Sequence, residues 1–400
     1  MLGWLPFVLL GLGGVALALT ALTFAAAHRA LLRHRRRGRR DDPTPPVSIL
    51  KPLKELDEGL WENLAALARQ DYPDYEILLG AAEATDPALR VADRLRREFP
   101  RVPIRVLVCD RPVGPNPKVN NLAVLAAEAR HDLLLISDSD VRPDAGYLRA
   151  VVGELRDPRV GLVSSLLCGV GEQSAGALLE NAQLNSFVAA AVAAGDFVGH
   201  PCVVGKSILL RRSELETLGG WRAVADVLAE DYLLGRLYHR AGRRVALSAH
   251  PVRTVHRRWT IRRFLSRQLR WMQMRRHINP AAYAGELLLQ PTAWFAGALL
   301  AGAGLAAPLW LAFAAVAGVA LKIALDVGLA RRLRGNGPGG LRVGWLPVKD
   351  LLATVLWVLG WFRRRVVWRG NVFRIGPESR VRPLGTSERP LPTAPAPQLP

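Results

Sequence analysis

The chain has 400 residues, enough for two soluble domains, yet half of them are hydrophobic and the mean hydropathy is +0.13, too apolar for a purely soluble protein with 22% charged residues. Its 54 Lys and Arg against 34 Asp and Glu leave a net charge of +20, which calls for nucleic acid, anionic lipid or phosphate-bearing partners. The three cysteines, Cys109, Cys168 and Cys202, are odd in number and lack ligand spacing, which argues against a disulfide framework or a zinc site.

Leu2 to Ala27 is apolar and uncharged, long enough to cross a bilayer as a helix of about 20 residues, and lacks the basic start and short core of a signal peptide. It predicts an anchor over residues 1–28. After the apolar stretch come His28, Arg29, Arg33, His34, Arg35, Arg36, Arg37, Arg39 and Arg40, all but His28 in a basic juxtamembrane linker (29–46). The positive-inside rule puts this cluster in the cytoplasm, where each arginine gains about 1 kcal/mol on anionic headgroups. Without interleaved aromatic residues it is a poor nucleic-acid surface.

From residue 47 to 280 the periodicity alternates. Val47 to Leu50 reads as a strand, Glu58 to Arg69 as a helix, Tyr75 to Gly80 as a strand, Ala88 to Phe99 as a helix, and Val102 to Val108 as a strand. Leu122 to Arg130 is a helix, and Leu133 to Ile136 is a buried strand ending in Asp138-Ser139-Asp140. This order predicts an α/β domain with a mostly parallel sheet and helices on both faces. Polar residues follow each strand: Lys51-Pro52, then Glu83 and Asp86, then Lys118, then Asp138 and Asp140. Ligands bind at that edge of open α/β sheets, and two carboxylates at i and i+2 can hold a hard divalent cation. No dinucleotide or P-loop motif is present.

Val160 to Leu167 predicts a further strand, and Val203-Val204 with Ile208 to Leu210 a short strand pair, preceded by His200. A helix is expected from Glu230-Asp231 to Ala241, with the helix dipole keeping Asp231 ionised without special burial. Glu230 is expected to point about 100° away from it. Arg263, Arg267 and Arg270 share a helix face beside Trp271, and arginine forks suit phosphate.

The segment 281–376 reads as membrane region. Leu287 to Ala306 and Leu309 to Leu329 predict two helices joined by a tight turn, interrupted by Pro291, Lys322 and Asp326. Trp345 to Phe362 is flanked by basic residues on both sides and carries Lys349 and Asp350, which predicts a re-entrant or interfacial segment. Residues 377–400 are proline-rich and predict a disordered tail.

Asp86, Asp138-Ser139-Asp140, Glu230-Asp231 and Arg267-Gln268-Leu269-Arg270-Trp271, in this order, resemble the D, D, D, (Q/R)xxRW pattern of inverting family 2 glycosyltransferases. Ser48 to Lys54, Asp71-Tyr72-Pro73, Asn116 to Leu122, Cys202 to Ser207 and Trp368-Arg369-Gly370-Asn371 resemble the ceramide glucosyltransferase branch, to which hopanoid glycosyltransferases are similar. The resemblance implies a GT-A nucleotide-sugar transferase domain between N- and C-terminal membrane helices. It implies a nucleotide-sugar site at Lys51, Pro52, Glu83, Asp86, Lys118 and Asp138, and Mg2+ or Mn2+ on Asp138 with Asp140. Animal members of that branch carry glycine where Asp140 stands, so the metal falls to Asp138 alone or to both. Asp231 would be the general base, and His200, Arg267, Arg270 and Trp271 would line the diphosphate and acceptor site.

The expected activity is transfer of a hexose, glucose foremost, from a UDP-sugar to a lipid hydroxyl such as that of ceramide, in a bacterial inner membrane with the catalytic domain cytoplasmic. The expected partners are a UDP-sugar, a membrane lipid and anionic phospholipid headgroups, without nucleic acid; the oligomeric state is left open. Alternatives are a hopanoid-polyol N-acetylglucosaminyltransferase, a polysaccharide synthase and a non-catalytic lipid-surface protein.

Overall fold

The computed structural model describes residues 3–34, 43–335, 342–368 and 370–386. The basic run Arg35 to Arg40, Arg369 and the chain beyond 386 lie outside the described residues.

Apolar runs make β1 (Val47–Pro52), β2 (Tyr75–Ala81), β3 (Ile104–Val108) and β4 (Leu133–Ser137); β1, β2 and β4 are buried on both faces, while β3 is the half-exposed edge. Then come β5 (Val141–Arg142), β6 (Val160–Val170), β7 (Ser207–Arg211) and β8 (Arg244–Val255). They form one sheet in the order β3-β2-β1-β4-β7-β6-β8-β5. Strands β1 to β4 are mutually parallel, β7 is antiparallel to both β4 and β6, and β8 is parallel to β6. The C-terminal ends of β1 to β4, β6 and β8 therefore share one edge with the N-terminal end of β7. Ser137 pairs with Ser207 in register, which sets Lys206 beside Asp138. Separate apolar clusters lie on the two faces of the sheet, giving the doubly covered, mixed and mostly parallel sheet expected above.

Two local expectations change. Val203-Val204 is loop rather than strand, because the turn through Gly205 brings the chain to the sheet edge before β7 starts. The tail predicted from residue 377 is partly ordered. Strands β9 (Arg365–Trp368), β10 (Asn371–Ile375) and β11 (Val381–Thr386) form an antiparallel sheet. Its Val366, Phe373, Ile375 and Val381 bury Leu228, apolar contacts that the proline count does not reveal. Ser379 accepts from the Leu228 amide at 2.9 Å through its carbonyl and from the Ala229 amide at 3.2 Å through its hydroxyl. The entry to the next helix, Glu230–Arg240, is thus pinned from 150 residues away.

Among the described residues three helices, Leu5–Arg33, Leu309–Arg334 and Trp345–Phe362, are long and apolar enough to cross a membrane. The first predicted C-terminal helix does not run straight from Leu287. Pro291 has no amide to continue the ladder, so Pro280–Leu289 and Pro291–Gly304 meet at a 60° bend, a broken span or a re-entrant loop. Trp345–Phe362, expected to be re-entrant or interfacial, is one continuous helix of 18 residues. The Phe295 ring fits between Gly13 and Gly318, where a Cβ would come within 2.6 and 2.4 Å of it. The charged interruptions meet. Lys322 lies 2.7 Å from Asp326 and 3.3 Å from Asp350, while Lys349 lies 2.6 Å from Asp350 and donates to Ser186 Oγ at 3.0 Å. Ser186 belongs to the sheet-covering helical segment, so this pairing docks the membrane helices onto the α/β domain.

Candidate active site

The site assembles at the shared strand edge. Asn116 caps the helix Pro117–Glu128, accepting from the Lys118 and Val119 amides at 2.9 and 3.2 Å with Pro117 at the first helical position. Lys118 thereby emerges from the first turn. Its ammonium lies 2.9 Å from Asp138 Oδ1, 2.9 Å from Glu230 Oε1 and 3.1 Å from the Gly205 carbonyl. Lys206 lies 3.2 Å from Asp138 Oδ2 and 2.6 and 2.7 Å from the two oxygens of Asp140. Burial alone would raise both aspartates, but Lys118 and Lys206 hold Asp138 below the usual carboxylate range and Lys206 holds Asp140 well below it. Lys51 is fully buried and donates to Ser137 Oγ and the Val141 carbonyl, both at 3.2 Å. Burial pushes it down to about 7 against the pull of Asp140 and Asp138.

Asp231 is the second residue of its helix. Its Oδ2 accepts from the Gly205 amide at 2.6 Å and its Oδ1 from the Tyr232 amide at 2.8 Å. The expectation that the helix end alone would keep it ionised is corrected here. Burial, followed by the neighbouring Glu230 charge, raises its pKa to about 7, against Lys118 and the two amides. Glu230 does not point away from the cluster. It is 5% exposed and meets Lys118, whose long stem reaches the end of the helix where first-turn side chains converge. Gly205 makes this closeness possible, since a Cβ there would stand 2.9 Å from both Asp231 Oδ2 and Lys118 Nζ.

A third arm joins Asp140 to the interior. His256 Nε2 lies 3.6 Å from Asp140 and 3.1 Å from Arg267 Nη1, and its Nδ1 lies 2.9 Å from Asn181 Oδ1. Arg267 is 7% exposed, lies 3.3 Å from the fully buried Glu180, and stacks on Trp259 and Trp271 at 5.2 and 4.5 Å. Gln268 donates to the other Glu180 oxygen at 3.0 Å.

The predicted residues fall unevenly around this centre. Lys51, Lys118, Asp138, Asp140, Glu230 and Asp231 come together, with Arg267 behind His256. Trp271 is the platform for Arg267. Arg270 is partly buried one turn along the same helix. Pro52 ends β1 beside Gly80. Asp86 accepts from the Glu55 amide at 3.1 and 3.0 Å and from the Ala88 amide at 2.9 Å, so it fixes the loop after β1 while exposed Glu83 stands before it. His200 is not drawn into the cluster. It is exposed on the turn after the helix Ala189–Phe197, with Nδ1 3.3 Å from the Val198 carbonyl. Sequence reasoning missed Lys206, Glu180 and His256. Only the Gly205-Lys206-Ser207 tripeptide, a turn with a lysine feeding a strand beside Asp138, offered a signal.

The aspartate pair suits a hard divalent cation. Three of its four oxygens converge on the Lys206 ammonium, a point that favours positive charge, and carboxylate oxygens are the donors Mg2+ and Mn2+ take. Among the described residues no group of three or more His, Cys, Asp or Glu side chains could hold an ion, so a diphosphate would have to complete the coordination.

An acidic pair and a separate carboxylate stand at the strand-end edge, joined by lysines. The chain belongs to glycosyl transferase family 21, whose match covers residues 13–381. Ceramide glucosyltransferase 1 of Caenorhabditis elegans is 31% identical over 242 residues, 60% of this chain and 52% of that one. Ceramide glucosyltransferase of Komagataella phaffii is 28% identical over 312 residues, 62% of this chain and 60% of that one. The chain spans about half the length of the Caenorhabditis relatives it matches. Among solved structures, the mannosyltransferase PcManGT from Pyrobaculum calidifontis, in complex with GDP-Man and Mn2+, is similar over 87% of this chain and 99% of that one, at 21% identity and a TM-score of 0.49.

Proposed function

We propose that the chain moves a hexose, glucose foremost, from a UDP-sugar to the hydroxyl of a membrane lipid such as ceramide, giving a β-linked glycolipid. The observation that carries this reading is the position of Lys118, within 2.9 Å of both Asp138 and Glu230, so that the acidic pair and the carboxylate next in sequence, Asp231, share one wall. The names of the relatives, ceramide glucosyltransferases, support the lipid acceptor.

Asp231 takes the proton of the acceptor hydroxyl as its oxygen bonds to the anomeric carbon. The bond from that carbon to the diphosphate breaks, and UDP leaves with the electron pair. A base with a pKa near the working pH is the efficient one. Asp138 and Asp140 would hold a Mg2+ or Mn2+, which when bound neutralises the charge of the leaving diphosphate. Lys118 adds fixed positive charge on the same side. His256 and Arg267 orient Asp140. Asp86 holds the loop after β1 against the uridine. One displacement by one base inverts the anomeric centre, whereas a retaining hydrolase needs two carboxylates about 5–5.5 Å apart.

The α/β domain lies on the cytoplasmic face of a bacterial inner membrane, where the arginines after the first helix rest on anionic headgroups. The test is to incubate membranes holding the full chain with several UDP-sugars and lipids, ceramide and hopanoid polyols included, and to analyse lipid products by mass spectrometry. A hexosylated lipid that depends on Asp231 is expected; no glycolipid from any pairing overturns the proposal.

A further inference from the structure

The helix Glu230–Arg240 carries Asp231 in its first turn, yet it starts without a cap of its own. Ala229 stands at the N-cap position and has no side-chain oxygen. In a capping box the N-cap amide is met by a Glu or Gln at the third helical residue, and here that residue is Tyr232. The missing acceptor comes from far along the chain. Ser379 is fully buried; its hydroxyl accepts from the Ala229 amide at 3.2 Å and its carbonyl from the Leu228 amide at 2.9 Å.

Further contacts fix the same join. The Val381 amide donates to the Asp226 carbonyl at 2.7 Å, and Val227 and Arg380 form an antiparallel bridge. Arg380 lies 2.6 Å from Asp226, and Arg236 of the Asp231 helix lies 3.2 Å from Glu378. To make this turn Glu378 and Ser379 adopt φ of 53° and 58°, a left-handed backbone that residues other than glycine rarely take. Such strain persists only where surrounding contacts over-determine it, and it gathers at functional sites.

The clasp has a second end. Strand β9 begins just after the apolar helix Trp345–Phe362, and the Arg365 carbonyl accepts from Gln273 Nε2 at 3.0 Å. Gln273 lies on the helix Ile261–Ile278, which also carries Arg267. The C-terminal sheet therefore grips the helices of both Asp231 and Arg267 and ties them to the last apolar helix.

We propose that Ser379 is a positioning residue for transfer: its hydroxyl and the turn around it set the start of the helix so that Asp231 meets the Gly205 amide and faces the acceptor hydroxyl. The inference rests on the reading of Asp231 as the base and adds the distant segment that holds that base in place.

The test uses the full chain in nanodiscs. Ser379→Gly keeps the left-handed backbone and removes the hydroxyl. With UDP-glucose and ceramide its kcat should fall about 10–100-fold, the effect of a misplacement on the order of 1 Å, while the KM for UDP-glucose stays within about twofold. The titratable groups facing Asp231 are Glu230, Lys118 and Cys202, which the substitution leaves in place. Water admitted at a loosened helix entry lowers a buried carboxyl toward its ordinary range, so the rise of kcat with pH should move below that of the parent. Ser379→Ala, which keeps the Cβ packed, should show the same changes.

Hydrogen exchange reads the placement without transfer. The Gly205 amide donates to Asp231, and in Ser379→Gly it should exchange about 5–10-fold faster while amides of β1 and β4 keep the parent's rate. In the parent itself, the Ala229, Val381 and Gly205 amides should exchange in one common opening. A parent that transfers no sugar while the Gly205 amide still responds would bring down the proposed activity and leave the positioning of Asp231 standing. Unchanged kcat per folded molecule with a lower melting temperature, an unchanged Gly205 amide, or separate openings in the parent overturns the proposal.

Discussion

The backbone amide of Gly205 donates to Asp231 Oδ2 at 2.6 Å, tying the loop before β7 to the first turn of a helix that begins 25 residues later. The bond aims one carboxylate oxygen and leaves no room for a side chain at 205. Gly205→Ala would press a methyl group against Asp231 and Lys118. Transfer should fall by at least tenfold, from a misplacement on the order of 1 Å, while far-ultraviolet circular dichroism stays that of the parent. Parent-like activity would show that Asp231 tolerates displacement and is not the base.

The raised pKa of Asp231, about 7, sets a pH signature. Transfer should increase with pH through about 7 as the carboxyl ionises, and Asp231→Asn should lose about 10²–10⁴-fold. Stability runs the other way. In the unfolded chain the carboxyl ionises near pH ~3.9, so between about 4 and 7 only the folded state keeps the proton, and stability drops as pH rises through that window. The melting temperature of Asp231→Asn relative to the parent should therefore grow more favourable from pH 5 to pH 8. A rate that is flat from pH 5.5 to 8.5 would contradict the assignment.

Lys206 stands where the aspartate pair would hold a cation, so metal and lysine compete for the same oxygens. Transfer should be lost in EDTA and restored by Mg2+ or Mn2+, and Asp138→Ala should abolish it with the fold intact. Full activity in EDTA would leave neutralisation of the diphosphate to Lys118 and Lys206.

Arg267 and Arg270 separate. Arg267→Ala would strand Glu180, which is fully buried, and should destabilise the fold by about 3 kcal/mol, as breaking a buried pair does. Arg270→Ala should reduce transfer and change the melting temperature far less. Equal melting temperatures for the two variants would contradict a structural role for Arg267.

Much of this was legible from local patterns. Apolar runs gave the parallel strands, and polar residues after each strand gave Lys51, Lys118, Asp138 and Asp140, because strand ends and first helical turns project side chains in directions that local sequence determines. Glu180, His256 and Arg267 were not legible as a group, since they meet through packing between a helix, a strand end and a second helix. The burial of Asp231 was hidden for the same reason: the Gly205 loop reaches it, and Ser379 pins Leu228 and Ala229 just before its helix, from distant parts of the chain. Lys322, Asp326, Lys349 and Asp350 were visible as interruptions of apolar segments, but their pairing depends on how those helices dock.

The most direct measurement is the anomeric configuration of the product. The purified full chain is given UDP-α-glucose and ceramide, and the glycolipid's anomeric proton coupling is read by NMR. Single displacement with Asp231 as base predicts a β-linkage. An α-linkage would contradict the mechanism and the role of Asp231 together.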